Sequence, residues 1–226
     1  MHLKRPPAPG LVHFDMQVLK RDGRREPVEF DKVTRRLESL AVPHGTRWGA
    51  LDVDVIRVAA QVCAAVHDGI TTARLDELAA DVAAGLSTEH PDYGLLASRI
   101  LVSNLHKATA DDPLATYERM APVLSSEFLQ CARRHADALR DMIDYARDYD
   151  FDYFGFKTVE KLYLTRVDGA VVERPQHMWL RVALALWGDD LDRARETYEH
   201  LATGKFTHAS PTLFNAGLKS QQLASW

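Results

Sequence analysis

Residues 17 to 32 read QVLKRDGRREPVEFDK, and this stretch decides how the front of the chain folds. Gln17-Val18-Leu19-Lys20 and Glu26-Pro27-Val28-Glu29-Phe30 flank Arg21-Asp22-Gly23-Arg24-Arg25. Asp22-Gly23 is a hairpin signal, because both residues tolerate the positive φ of a tight primed turn. Pro27 has no amide hydrogen for a ladder, which confines the second strand to an edge or a bulge. Asp31 stands where a helix N-cap would, ahead of Val33, Leu37 and Leu40 at helical spacing.

Working outward, a second helix is predicted over Val53 to Val66, ended by Gly69. Thr71 and Thr72 can cap a third, with Leu75, Leu78, Ala79, Val82 and Leu86 as its apolar face. Pro91 fits the first turn of a fourth, with Tyr93, Leu96, Ala97, Ile100 and Leu101 pointing inward. Ala110 to Pro113 reads as a linker. Beyond it, Leu124 to Tyr145 reads as one helix, Leu180 to Leu186 as a buried one and Leu191 to Leu201 as an amphipathic one. Asp168-Gly169 signals a second hairpin. The first fifteen residues, with Lys4, Arg5, Pro6, Pro7 and Pro9, read as a flexible leader rather than a signal peptide.

Composition bounds the function. The net charge of −4 argues against a general nucleic-acid binder, which shows a basic excess. Two cysteines, Cys63 and Cys131, make neither a disulfide framework nor a zinc ribbon and fit a reducing cytosol. Both sit on predicted helices and read as small core or surface residues. No carboxylate-and-histidine set has the sequence spacing of a metal site, so none is expected to be bound. His177, ahead of Met178-Trp179-Leu180, reads as a hydrogen-bonded buried or interfacial histidine, not a metal ligand. Apolar runs are broken by charge before the ~20 residues of a membrane span. The chain is expected to be cytoplasmic, with no nucleic-acid or membrane partner.

Charge alone says little about the hairpin: Lys20, Arg21, Arg24, Arg25 and Lys32 are nearly balanced by Asp22, Glu26, Glu29 and Asp31. A mixed-charge face of this kind is usually solvated. Five ordered segments carry more. These are Val18 to Gly23, Glu26 to Lys32, Gly69 to Thr72, His90 to Tyr93 and Ser103 to Lys107. Together they resemble the ATP-cone, the allosteric nucleotide-binding module at the front of many ribonucleotide reductases. The resemblance implies that Lys20, Arg21, Glu26, Pro27, Val28, Glu29, Phe30, Asp31, Lys32, Thr72, Asp76 and Lys107 surround ATP or dATP, with magnesium. Folding would gather cations from separate parts of the chain around a triphosphate. Thr72 near a helix start would add donors where the dipole favours anions. Asp76 would accept from a ribose hydroxyl or hold phosphates through magnesium.

Tyr153 to Thr158 and Glu173 to Met178 resemble the helical domain that follows the cone in class I large subunits. Residues 206 to 226, FTHASPTLFNAGLKSQQLASW, resemble the start of the catalytic barrel in that family. There the positions of Ser210 and Ser225 touch the substrate's diphosphate, and the next position is a redox cysteine. In this chain that position is Trp226, and indole has no thiol chemistry. His208 and Asn215 are open between binding substrate and shaping the loop.

The expected fold is therefore mainly α. A β-hairpin caps a four-helix ATP-cone over 16–107, after a leader at 1–15. A helical domain with a short hairpin follows over 108–205, and 206–226 is the first strand of a truncated α/β barrel. The resemblance implies a ribonucleoside-diphosphate reductase that makes deoxyribonucleotides, working with a radical-generating small subunit and a second large subunit. The chain as given, stopping at Trp226, is expected to be inactive alone. The alternative is a stand-alone nucleotide-binding regulatory remnant.

Overall fold

The computed structural model describes residues 16–42 and 47–224. The predicted hairpin is present: β1 (Gln17–Leu19) pairs antiparallel with β2 (Arg25–Pro27), Val18 opposite Glu26. Its turn differs from the expected two-residue form. The connection runs over residues 20–24, closed by Lys20 N–H donating to the Arg24 carbonyl at 2.8 Å. Only Gly23 has a positive φ, at 84°, while the Asp22 carboxylate accepts from the Arg24 amide. Pro27 lies on the outer strand, as its missing donor requires.

A third strand joins this sheet. β3 (Ile70–Thr71) runs parallel to β1 on the side away from β2, pairing Ile70 with Val18. Two residues are too few for an alternating pattern, so the sequence shows no sign of it. Around the sheet pack α1 (Phe30–Ala41), α2 (Val55–Ala65), α3 (Thr72–Gly85) and α4 (Asp92–Ala108). The cap of α1 is shifted from the expectation: Glu29 holds the N-cap position without a side-chain bond, and Asp31 lies in the first turn. Thr71 caps α3 by accepting from the Arg74 amide. Ala79, Ala80 and Ala83 are buried and let α3 lie close against α4, whose Leu96, Ala97 and Ile100 are also buried. Arg99, fully buried, donates to the carbonyl of Leu40 in the last turn of α1 and to those of Val42 and Gly49 beyond it. A guanidinium thus satisfies carbonyls that a helix end leaves without partners.

The second half is helical. α5 (Pro113–Arg119) is capped by Asp112. The single helix expected over 124–145 is instead two, α6 (Ser126–Arg134) and α7 (Ala136–Met142). The break is at His135, whose ψ of 19° leaves the helical range. A 3₁₀ turn at Tyr145–Asp150 leads to α8 (Tyr153–Leu162). Then β4 (Arg166–Val167) and β5 (Ala170–Val171) form the second hairpin, with Asp168 and Gly169 at φ 51° and 79°. This is the primed turn that the sequence predicts. α9 (Pro175–Trp187) is buried from Pro175 through Leu184 and forms the core of this half, with α10 (Leu191–Ala202) beside it.

Within 206–224 the expected barrel strand is replaced by a short helix, α11 (Ser210–Asn215). Pro211 sits in its first turn, where a fixed φ and a missing amide hydrogen cost nothing. The fully buried Arg181 of α9 donates to the carbonyls of Leu213 and Ala216, closing the helix end. The segment is also less loosely held than a lone strand would be, since Leu213 and Ala216 are buried. Gly217 follows at φ 82°, and a Cβ there would stand 2.9 Å from the Phe128 ring.

Candidate functional site

A cleft of about 180 Å³ opens between the three-stranded sheet, α1, α3 and the end of α4. Its apolar wall is Val18, Val28, Val33, Leu37, Leu75 and Ala79. Its polar side is Lys20, Glu29, Lys32, Arg36, Thr72, Asp76 and Lys107. An adjoining mouth of about 370 Å³ shares Lys20, Thr72 and Lys107 and adds Arg21, Asp22, Arg24 and Glu26.

The polar groups arrive on several separate elements. β1 ends at Leu19, so Lys20 leaves the sheet at its end. Lys32 and Arg36 are four apart on α1 and share one face. Thr72 is the first residue of α3, whose free amides favour an anion. Lys107 is in the last turn of α4. In the structure these cations hold one another in place through carboxylates. Lys20 and Lys32 lie 3.0 and 3.4 Å from Glu26, and Lys32 is 3.0 Å from Glu29. Asp76 takes Lys107 at 3.1 Å and Arg36 at 3.5 Å. Arg36 also donates to Ser103 at 2.8 Å, and Arg21 bonds Asn104.

Burial and charge act against each other at Lys107. Desolvation pulls its ammonium below the ordinary lysine value, and neighbouring Asp76 pulls it back up. Lys20 is the first cause holding the Glu26 carboxyl below its usual range, and Glu29 is the first cause raising Lys32. The cleft thus has more cations than it needs for its own carboxylates, set beside an apolar wall.

Of the residues singled out from the sequence, Lys20, Arg21, Glu26, Pro27, Val28, Glu29, Lys32, Thr72, Asp76 and Lys107 line the cleft or its mouth. Phe30 and Asp31, at the start of α1, line neither, and both are exposed. Sequence reasoning misses Arg36. Its one signal is the four-residue step from Lys32, which places both on one helix face.

The residues proposed at the far end are partly described. Ser210 Oγ is 3.0 Å from the Tyr163 hydroxyl, and the Tyr163 ring stacks on Phe214 with centroids 4.8 Å apart. Asn215 donates to the Gln222 carbonyl at 2.8 Å, a loop-shaping bond. Ser225 and Trp226 lie outside the described residues. His177 is buried, as its sequence context implies. Its Nδ1 accepts from the Arg174 amide, so its Nε2 carries the proton and donates to the Tyr145 hydroxyl at 2.7 Å. Burial first, and the Arg174 charge second, push its pKa down to about 3.

Comparison with known proteins agrees with this geometry. Residues 16–108 match the ATP cone domain, and residues 149–221 match the ribonucleotide reductase all-alpha domain. The chain is 46% identical over 221 residues to the ribonucleoside-diphosphate reductase large subunit of Dictyostelium discoideum. It is 46% identical to that of Arabidopsis thaliana, and 42% identical to large chain 2 of Saccharomyces cerevisiae. Each match covers 93% of this chain but only 25%, 27% and 25% of the respective relative. The chain therefore spans about a quarter of the length of these relatives. The cone, the all-alpha domain and these identities together place the chain in the family of ribonucleotide reductase large subunits, at their N-terminal part.

Proposed function

We propose that the cleft binds ATP or dATP as an effector, and that the protein serves the reduction of ribonucleoside diphosphates to deoxyribonucleotides. The observation that carries this reading is the convergence of Lys20, Lys32, Arg36 and Lys107, from separate parts of the chain, beside an apolar wall. The cations suit a polyphosphate, and the wall offers a base a dry surface. Asp76, positioned by Arg36 and Lys107, suits a ribose hydroxyl. Magnesium would arrive with the phosphates, because Asp22, Glu26, Glu29 and Asp76 are each already paired with a lysine or arginine.

On this reading residues 16–107 are the effector domain, 108–205 the helical domain and 206–226 the approach to the catalytic barrel. Ser210 and Ser225 would both contact the substrate's diphosphate. The Tyr163 bond to Ser210 would hold that hydroxyl in place. The partners are a radical-generating small subunit and a second large subunit, in the cytoplasm. Calorimetry of the purified chain with ATP and with dATP tests the effector site. Saturable heat with either supports it; no heat and no thermal shift with both removes it.

A further inference from the structure

A second group of chemistry-bearing side chains lies outside the cleft, where α6 meets the turn after α9. Cys131, in the last turn of α6, and His135, just past its end, are four residues apart and so share one face. Asp189 comes from the turn just after α9, following Gly188 at φ 57°. Its Oδ1 accepts from His135 Nε2 at 2.7 Å and from Cys131 Sγ at 3.7 Å. Sulfur, ring nitrogen and carboxylate oxygen all lie within 4.8 Å of one another.

Those spacings have a meaning in coordination chemistry. With Zn–S near 2.3 Å and Zn–N or Zn–O near 2.0–2.2 Å, adjacent donors of a tetrahedral site stand about 3.3–3.7 Å apart. The Cys131–Asp189 separation of 3.7 Å already matches such an edge, and the His135–Asp189 pair needs only a small opening. The thiol and imidazole protons now fill the place a cation would take. We propose that Cys131, His135 and Asp189 form a binding site for a thiophilic divalent cation of the zinc type, with water as the fourth ligand. On binding, the Cys131 proton leaves to solvent and the sulfur lone pair goes to the metal. The mixed S, N, O set selects such a cation over magnesium or calcium, which take oxygen ligands. The sequence hides the site because Asp189 lies 54 positions from His135.

Arg134 opposes it. Its guanidinium lies 2.7 Å from the same Asp189 oxygen and repels an incoming cation, although at 53% side-chain exposure it is free to swing outward. Arg134 is therefore a brake on the site.

Titration of the purified chain with Co²⁺, followed by displacement with Zn²⁺, tests the proposal. One equivalent of Co²⁺ should produce a thiolate-to-metal charge-transfer band that Zn²⁺ abolishes. The band should vanish in C131S, persist in C63S, and form with roughly tenfold tighter affinity in R134A as the repulsion is relieved. Asp189 is two-thirds exposed, so D189N keeps the fold and should weaken binding at least tenfold. No band at stoichiometric Co²⁺ in wild-type chain that still unfolds cooperatively overturns the site. A band that survives C131S, or an affinity unmoved by D189N, overturns it equally.

Discussion

Lys20 and Lys107 offer the same ammonium to the cleft in different surroundings, and they should respond differently to change. Lys20 sits at the rim, paired with Glu26. On the proposed reading, in which its ammonium bonds phosphate, Lys20→Ala should weaken ATP or dATP binding by ~1.5–3 kcal/mol, read by calorimetry. Lys107 is partly desolvated, so its proton is lost at a pH below the ordinary lysine value of 10.5. Phosphate favours the protonated form. Nucleotide affinity should therefore fall as pH rises through that lowered value. Lys107→Arg should flatten the fall, since a guanidinium stays charged. Most of these residues were legible only by resemblance. The charges of residues 20–32 nearly cancel, so composition points to a solvated hairpin. Arg36 had only its four-residue step from Lys32 to mark it, because its partners Asp76 and Ser103 stand 40 and 67 positions away.

Among the elements, α9 does most of the joining in the second half. Its Arg181 and Glu173, just ahead of its start, form an ion pair with both side chains fully buried. Glu173 also accepts from the amide and hydroxyl of Thr165 ahead of the β4–β5 hairpin, while Arg181 caps α11. Removing one partner strands a buried charge. Glu173→Gln or Arg181→Met should each cost ~3–5 kcal/mol in urea unfolding. The double replacement with apolar residues should cost less than the two single losses added together. Amides of Leu213 to Ala216 should exchange faster in Arg181→Met than in wild type, while those of α4 should not. This pair explains why residues 206–224 misled the sequence reading. Pro211 and Gly217 are visible in the sequence, but the guanidinium that turns them into a helix is 32 positions from the nearer carbonyl it binds. The long helices needed less help: α4 declares itself through its apolar face, and α9 does so over Leu180 to Leu186 although it begins earlier, at Pro175.

At the scale of the molecule, one histidine sets an acid limit. His177 is neutral in the folded chain, its Nδ1 accepting a backbone hydrogen, and its pKa lies near 3 against an ordinary 6.5. Above about pH 6.5 both folded and unfolded forms are unprotonated there, and the residue adds nothing to pH dependence. As pH falls from 6.5 toward 3, the unfolded chain takes up a proton that the folded one refuses. Stability should then decline by up to about 1.4 kcal/mol per pH unit from this group. His177→Asn should remove that share of the slope, measured as the difference between the two proteins' urea midpoints from pH 7 to 4.

The parallel pairing of β1 with β3 also orders events during synthesis. Val18 leaves the ribosome roughly fifty residues before its partner Ile70, so the strand emerges with one edge unsatisfied and must wait. The hairpin with β2 is local and forms at once, covering the other edge. Nascent chains shorter than about seventy residues therefore expose a bare strand, and those ending before Lys107 lack a cation of the cleft. Nucleotide can help the nascent protein fold only after the whole cone has been made.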